Sequence, residues 1–433
     1  MKVLLIHRQG PGQFVHLARA LAADDPASVV MIAGRAVADA PCRMVAAPPA
    51  RAPGAATHPY LLPSEAAVLA GQATARAVLG LAREGWRPDV VLVHPGWGDA
   101  LFLPEVMPGA PMVAYAEYYH RTDGTEIGWD DHLSLDAEAR CALGLRNAPL
   151  LLALEAAAAA IAPTRWQRDL HPRPFRDRIV VIHEGVDVEV VRPDAQARLV
   201  LPCGTVLTAA DEVVSYVARD LEPVRGFPWL MRALPHLLER RPGARVVICG
   251  GDGVSYGRRP GRAATWREAM LAETGPLPGR VHFVGTLAYR DYLALLQVSR
   301  LHLHPSAPFV LSWSLTEAMA AGAAVLAADT APLREVIRDG VNGFLDEPRD
   351  PAGFARRAGD LLGRHQALGA VRRAARRTIS LRFRREAALL RQRALLERVA
   401  AGWRAPAPPG ADPTPGPQAR PRAAAARASS QAG

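Results

Sequence analysis

Lysine is almost missing from this chain of 433 residues: Lys2 is the only one, and the remaining basic residues are arginine. Such a skew follows from GC-rich coding, so the arginine count alone assigns no partner. Cysteine is scarce as well. Cys42, Cys141, Cys203 and Cys249 are scattered and form no CxxC pair, which argues against a disulfide framework and against a zinc site. No uncharged, strongly apolar run reaches the roughly 18 residues that a membrane-spanning helix needs. The most apolar stretch, "LLLALEAAAAAIA" (150–162), is short, Ala-rich and interrupted by Glu155. The first residues, "MKVLLIHRQGPGQF", pass from an apolar strand into a Gly/Pro turn without a signal-peptide core, so a cytoplasmic location is expected. No repeat of solenoid length occurs.

What is present suits a globular protein of two or three domains, with 49% of residues apolar. A net charge of +10 favours anionic partners: nucleotides, phospholipid surfaces or nucleic acid. Short β-branched runs alternate with longer Ala/Leu/Arg-rich segments. Strands are expected at 2–7, 29–33, 90–94, 112–116 and 179–183, and a second series at 213–218, 245–250, 281–285, 301–305 and 324–328. This βαβ rhythm predicts α/β architecture: two doubly wound Rossmann-like domains, each a parallel sheet covered on both faces. Residues 184–212 show no helical period and hold the boundary, which divides the chain into domains at 1–185 and 186–380. Residues 351–403 read as two or three helices, the last at 381–403. Residues 404–433, rich in Pro, Ala and Gly, are expected to be a disordered tail. Ligands of such sheets sit beyond the carboxyl ends of the strands, so the cleft between the domains is the expected site.

Three stretches of the second domain carry chemistry. In "VSYVARDLEPVRGF" (214–227), Arg219 lies just past a strand end and Arg225 follows after a short loop. Two guanidiniums so placed can clamp a diphosphate. Equally, they can pair with Asp220 and Glu222 as surface ions. In "CGGDGVSYG" (249–257), Gly250 and Gly251 follow a strand directly and let backbone N–H groups approach an anion. No Gly-Lys-Ser/Thr follows, so it is no Walker loop, and an ordinary βα turn accounts for it as well. In "HPSAPFVLSWSLTEAMAAG" (304–322), Ser314 and Glu317 fit a capping box. The competing reading gives Glu317 to a ribose diol, with helix-start amides on phosphate oxygens.

The order and spacing of "ARDLEPVRGF", "VICGGDG", "FVG", "HPS", "LTEAMAAGAAVLAAD" and "REVIRDGVNGFL" resemble the nucleotide-sugar-dependent glycosyltransferases of family 4. The resemblance covers most of 1–400 and is strongest over 213–350. It implies the two-domain GT-B fold, a last helix (381–403) that packs back on the first domain, and transfer with retained anomeric configuration. The first-domain segments "HRQGPGQFVHLARAL", "HPGWGDALFLPEV", "AYAEYYHRTDG" and "APTRWQRDLHP" look like a bacterial branch associated with cell-surface polysaccharide assembly. Carried over, Arg219 and Arg225 bind the leaving diphosphate, Arg225 standing where the family usually has lysine. Glu317 matches the glutamate expected at the ribose, and Glu335 falls on a further family position at the donor. Eight positions before Glu317 the family has a second glutamate for the donor sugar. Here that residue is Phe309, which accepts no hydrogen bond and can only stack on a sugar face. The family's Gly-Phe-Gly beyond it has become Val310-Leu311-Ser312, and Ser312 can donate from its hydroxyl. Gly10 and Gly12 allow close approach to the sugar or the phosphates, although Val15 replaces the third glycine of a dinucleotide fingerprint. His94 and Glu117, each at the end of an expected strand, are candidates to orient the acceptor hydroxyl or the donor sugar. His7 and His183 also stand at strand ends, where a packed role competes with a catalytic one.

The resemblance implies no cofactor and no catalytic metal. Asp130 and Asp131 are not a DxD at a strand end, and the two arginines would supply the charge instead. The implied partners are a nucleotide-sugar donor and a glycan or lipid-linked acceptor. Arginines of 351–403, such as Arg372, Arg373, Arg376 and Arg377, form either a solvated face or a peripheral contact with anionic lipid. Nucleic acid is not expected, since no motif accompanies the charge. The alternatives are a GT-B phosphorylase or epimerase, and a non-catalytic sugar-nucleotide-binding or partner protein, which the Phe309 replacement favours.

Overall fold

The computed structural model describes residues 1–406. Its first domain holds seven strands: β1 (Val3–Ile6), β2 (Val29–Ala33), β3 (Arg43–Ala46), β4 (Val90–Val93), β5 (Met112–Tyr115), β6 (Ala159–Ala162) and β7 (Ile179–Val181). All pair in parallel, in the order β3-β2-β1-β4-β5-β6-β7. Strands β1, β2, β4, β5 and β6 are buried along their whole length, because helices cover both faces.

A short antiparallel hairpin, β8 (Arg198–Val200) and β9 (Val206–Thr208), lies in the boundary segment that shows no helical period. The second domain follows with β10 (Val213–Asp220), β11 (Arg245–Gly251), β12 (Val281–Gly285), β13 (Leu301–His304), β14 (Ala324–Ala328) and β15 (Phe344–Asp346). Its parallel order is β12-β11-β10-β13-β14-β15. Both sheets reverse direction beside their first strand, between β1 and β4 and between β10 and β13. A crevice opens at such a reversal, beyond the strands' carboxyl ends.

Besides this hairpin, three strands escape the sequence reading. β6 is "AAIA", inside a run whose alanine content reads as helix; alanine is depleted in strands. Here Ala160 and Ala162 pack on one face while Ala159 and Ile161 pack on the other. β3 and β15 are short and at the sheet edges.

The chain crosses between domains twice. The first crossing is His183–Val191. The second lies between the helices Gly369–Arg382 and Arg385–Ala400. The two are stapled together: Val186 N–H donates to Phe383 O at 2.7 Å and Arg385 N–H to Val186 O at 2.9 Å. Gly185 adopts φ +85°, and a Cβ there would lie 2.4 Å from Arg385 Cα, so only glycine lets the crossings approach this closely. The last helix then lays Leu395, Leu396 and Val399 against Val3, Leu5 and Leu92 of the first sheet. Ala405 N–H donates to Ala158 O at 2.9 Å, so the first residues of the expected tail are anchored to the first domain at Ala405. The rest of the expected tail lies outside the described residues.

Candidate active site

The cleft between the domains has a volume of about 850 Å³ and is walled by the carboxyl ends of both sheets. On the first-domain side, β1 ends at His7, β4 at His94 and β5 leads to Glu117. These three meet through one glutamine. His7 Nε2 lies 2.7 Å from Gln13 Oε1, Gln13 Nε2 donates to Glu117, and His94 Nε2 lies 3.2 Å from Glu117 Oε2. Burial opposes a charge on Glu117, but the bonds from His94 and Gln13 outweigh it and hold the carboxyl below its usual range. Burial, with His94 nearby, pushes His7 down to about 3, so it is neutral at physiological pH. Gly12 makes this cluster possible. It adopts φ +46°, and a Cβ there would stand 2.3 Å from the His7 ring. Gln13 was not singled out from the sequence; it lies inside the "GPGQF" turn, and its spacing from Glu117 carries no signal.

On the opposite side the two arginines converge. Arg219 is exposed at the end of β10, and Arg225 sits in the turn that follows. Their guanidinium carbons lie 6.0 and 5.3 Å from the centre of one ring, Tyr256. Arg225 also lies 5.3 Å from the Phe309 ring, and its Nη1 reaches Val310 O at 3.5 Å. The surface-ion reading of these arginines fails. Asp220 and Glu222 form no ion pair with them and instead accept backbone N–H groups of the 253–257 loop, although the Arg225 charge still acts on Glu222. Gly253 N donates to Asp220 Oδ1 at 3.1 Å, and the amides of Ser255, Tyr256 and Gly257 all donate to Glu222 Oε2 at 3.1–3.2 Å. Among the described residues neither arginine pairs with a carboxylate; the ion pairs of this domain run elsewhere, as in Arg241–Glu212 and Arg267–Asp252.

The same bonds correct the expectation for the glycine turn. Gly250 and Gly251 still belong to β11, and of the loop amides beyond them Gly253 N is taken by Asp220 and those of 255–257 by Glu222. A Cβ at Gly250 would meet Leu221 Cδ2 at 2.8 Å, and one at Gly251 would meet Asp220 Oδ1 at 2.8 Å. These two glycines admit the protein's own chain. What the loop delivers to the cleft is Tyr256. Gly10 lies outside the cleft wall, with Val37 the nearest group to its absent Cβ.

Phe309 is 6% exposed and belongs to an apolar cluster that bridges the domains, with Leu133 from the first and Val224, Trp229 and Ala307 from the second. Its ring stands 4.8 Å from Tyr118 and 4.9 Å from Tyr256. Tyr118 donates its hydroxyl to Glu126, a cleft residue whose carboxyl is raised by burial. Asp130 caps the turn Asp131–Leu133, which brings Leu133 into this cluster.

Glu317 and Ser314 do not form a capping box. The helix runs Trp313–Ala321, so its N-cap is Ser312, which makes no side-chain cap bond; Ser312 Oγ lies 2.8 Å from Ser314 Oγ. Glu317 is instead held by phenols of the neighbouring helix Tyr289–Val298. Tyr289 donates to its Oε1 at 3.0 Å and Tyr292 to its Oε2. Burial raises its pKa in spite of both bonds. It stands outside the wall of the main cleft. Glu335 is displaced further from the expected donor position. Its carboxylate accepts the N–H groups of Arg165 and Trp166, each at 2.9 Å, and so ties the second domain to a helix start of the first.

Comparison with known proteins gives the same two-part organisation. Residues 26–191 match a family model described as glycosyl transferase family 4 group, and residues 211–364 one described as glycosyl transferases group 1. The D-inositol 3-phosphate glycosyltransferase of Nocardia farcinica is 33% identical over 207 residues, 46% of this chain and 44% of that protein. The protein of the same name from Streptomyces scabiei is 30% identical over 193 residues, 42% of this chain and 41% of the other. The chain thus spans under half the length of the curated relatives it matches. Among solved structures, sucrose-phosphate synthase from Thermosynechococcus elongatus superimposes with a TM-score of 0.69 at 19% identity, covering 93% of this chain and 99% of the other. Anabaena HepE in complex with UDP-glucose gives 0.66 at 18% identity, covering 92% and 99%. At these identities the likeness is one of fold.

Proposed function

Because the chain belongs to the glycosyltransferases whose halves are the family 4 and group 1 domains, with the GT-B fold, we propose that it transfers a glycosyl group from a nucleoside diphosphate sugar to an acceptor hydroxyl with retained anomeric configuration. The observation that carries this reading is the pair Arg219 and Arg225. Arg219 lines the cleft that also holds the His94–Glu117 pair, Arg225 stands beside it at the Tyr256 ring, and among the described residues neither makes an ion pair. A departing diphosphate gains charge in the transition state, and fixed guanidiniums favour that charge more than the ground state. Glu117 and His94 then position the acceptor hydroxyl. Attack proceeds on the face the diphosphate leaves, and a phosphate oxygen takes the acceptor proton, so no enzyme nucleophile is required. Glu317 serves the ribose by exchanging its phenol bonds for the diol.

The HepE structure contains UDP-glucose, which makes uridine the first base to try. The curated relatives are named for D-inositol 3-phosphate, so that acceptor belongs in the panel beside glycans and lipid-linked glycans. Assembly of a cell-surface polysaccharide or glycolipid is the role proposed for the product. Among the described residues no helix is long and apolar enough to cross a membrane. A lipid-linked acceptor would therefore be met by peripheral contact, for which the C-terminal arginines are the candidates. Calorimetric titration with UDP, GDP, ADP and TDP, followed by release of the diphosphate from matching sugar donors, tests the reading. One nucleotide should bind and its sugar donor should turn over. Binding without turnover of any donor and acceptor would leave a non-catalytic sugar-nucleotide protein.

A further inference from the structure

A sugar donor carries its sugar directly on the phosphate that the guanidiniums hold, so the sugar ring must lie beside Arg219 and Arg225. The side chains found there are aromatic. Tyr256 lies 6.0 and 5.3 Å from the two guanidinium carbons, Phe309 lies 5.3 Å from that of Arg225, and Tyr118 stands 4.8 Å behind Phe309. Val224 and Val310 complete this part of the wall. Several of its polar atoms are already engaged, although the Tyr256 hydroxyl and the two guanidiniums stay open to a ligand. The Tyr118 hydroxyl donates to Glu126, the Ser255 hydroxyl to Asp220, and Glu222 Oε2 accepts three backbone amides. A sugar hydroxyl turned to the Phe309 ring itself loses water and gains no partner, whereas a methyl group or bare ring face loses nothing there.

We propose that Phe309, together with Tyr256 and Tyr118, selects a donor whose sugar turns a methyl group or an apolar face to this wall. A nucleoside diphosphate 6-deoxyhexose is then preferred over its 6-hydroxy counterpart. The proposal rests on the cleft being a nucleotide-sugar site and names the class of sugar. Phe309 acts by contact with the sugar, in addition to its packing between the domains.

Matched donors test it by calorimetry, without knowledge of the acceptor: UDP-glucose against UDP-6-deoxyglucose, GDP-mannose against GDP-6-deoxymannose, and TDP-glucose against TDP-6-deoxyglucose. On the base the protein accepts, the 6-deoxy donor should bind about tenfold more tightly or better. Phe309→Glu should bring the ratio of Kd values to one or invert it, and Phe309→Leu should keep it. If Phe309→Glu does not fold, Tyr256→Ala, at a more exposed position, should lower the ratio. A wild-type ratio of one, a preference for the 6-hydroxy donor, or a ratio that neither Phe309→Glu nor Tyr256→Ala moves would overturn the proposal. The bare diphosphates separate the two levels. If none binds, the reading of the cleft itself fails; if one binds and no deoxy preference appears, only the sugar assignment fails.

Discussion

Arg225 touches an aromatic ring on either side and a carbonyl, but no carboxylate. A guanidinium held this way keeps its charge for a ligand. Replacing Arg219 or Arg225 by alanine should lower donor turnover by about 10²–10³-fold, as loss of one preorganised charge-stabilising group does. The change is read as kcat for diphosphate release, with folding checked by thermal denaturation. Both arginines were visible in the sequence because the strand-turn-helix rhythm puts them at a strand end. Their freedom from Asp220 and Glu222 was not visible, since it depends on a loop more than thirty residues away. Glu317 shows the reverse. Its capping box was legible but the helix starts two residues earlier, which moves Glu317 past the first turn, where its carboxylate meets two phenols of the neighbouring helix. Glu317→Ala should weaken nucleoside diphosphate binding by about tenfold, the cost of losing a hydrogen bond from a charged group. If titration shows unchanged affinity and only the melting temperature falls, the ribose role is refuted and the tyrosine contact is its whole purpose.

At the scale of elements, the crossing between domains holds a buried acid. Glu184 lies in the first crossing. It accepts the Tyr115 hydroxyl from β5 and, at 3.3 Å, the indole N–H of Trp313 from the second domain, with His183 Nε2 at 3.5 Å. Burial pushes its pKa up to about 7. The folded protein therefore holds this proton more tightly than the unfolded chain, whose carboxyl titrates near 4.5. Its contribution is fullest below pH 4.5 and is lost as pH rises through about 7, a change on the order of 3 kcal/mol. His183, pushed down to about 4 by burial, acts in the opposite direction as pH falls below its ordinary value. Glu184→Gln removes only the first effect. The stability difference between wild type and this variant, from urea unfolding at pH 5 and pH 8, should move against the wild type at pH 8. A difference that does not change with pH would place the proton elsewhere. Nothing in the sequence marks Glu184, because its partners lie on β5 and on the helix at 313. The missed strand β6 has a related cause: alanine reads as helix former locally, and only packing from both faces makes it a strand.

For the whole molecule, the two sheets were legible because buried parallel strands are continuous apolar runs. The contacts that join the domains were not: the Phe309 cluster, the Glu335 carboxylate on Arg165 and Trp166, and the return of the last helix. Each pairs residues far apart in sequence. The returning helix gives this scale its own prediction. Leu396 is fully buried against the first sheet, so Leu396→Ala should cost about 2–5 kcal/mol in urea unfolding. It should also loosen the coupling of the domains, seen as separation of one unfolding transition into two. A loss below about 1 kcal/mol would mean that the helix is not needed to hold the first domain.

The account stands or falls on whether the diphosphate of a sugar donor leaves against Arg219 and Arg225. The direct measurement is release of nucleoside diphosphate from the sugar donor whose base the protein binds, compared between wild type and Arg225→Ala at saturating donor. Release by the wild type, with kcat reduced at least about a hundredfold in the folded variant, is the predicted result. Equal release by both proteins would contradict it.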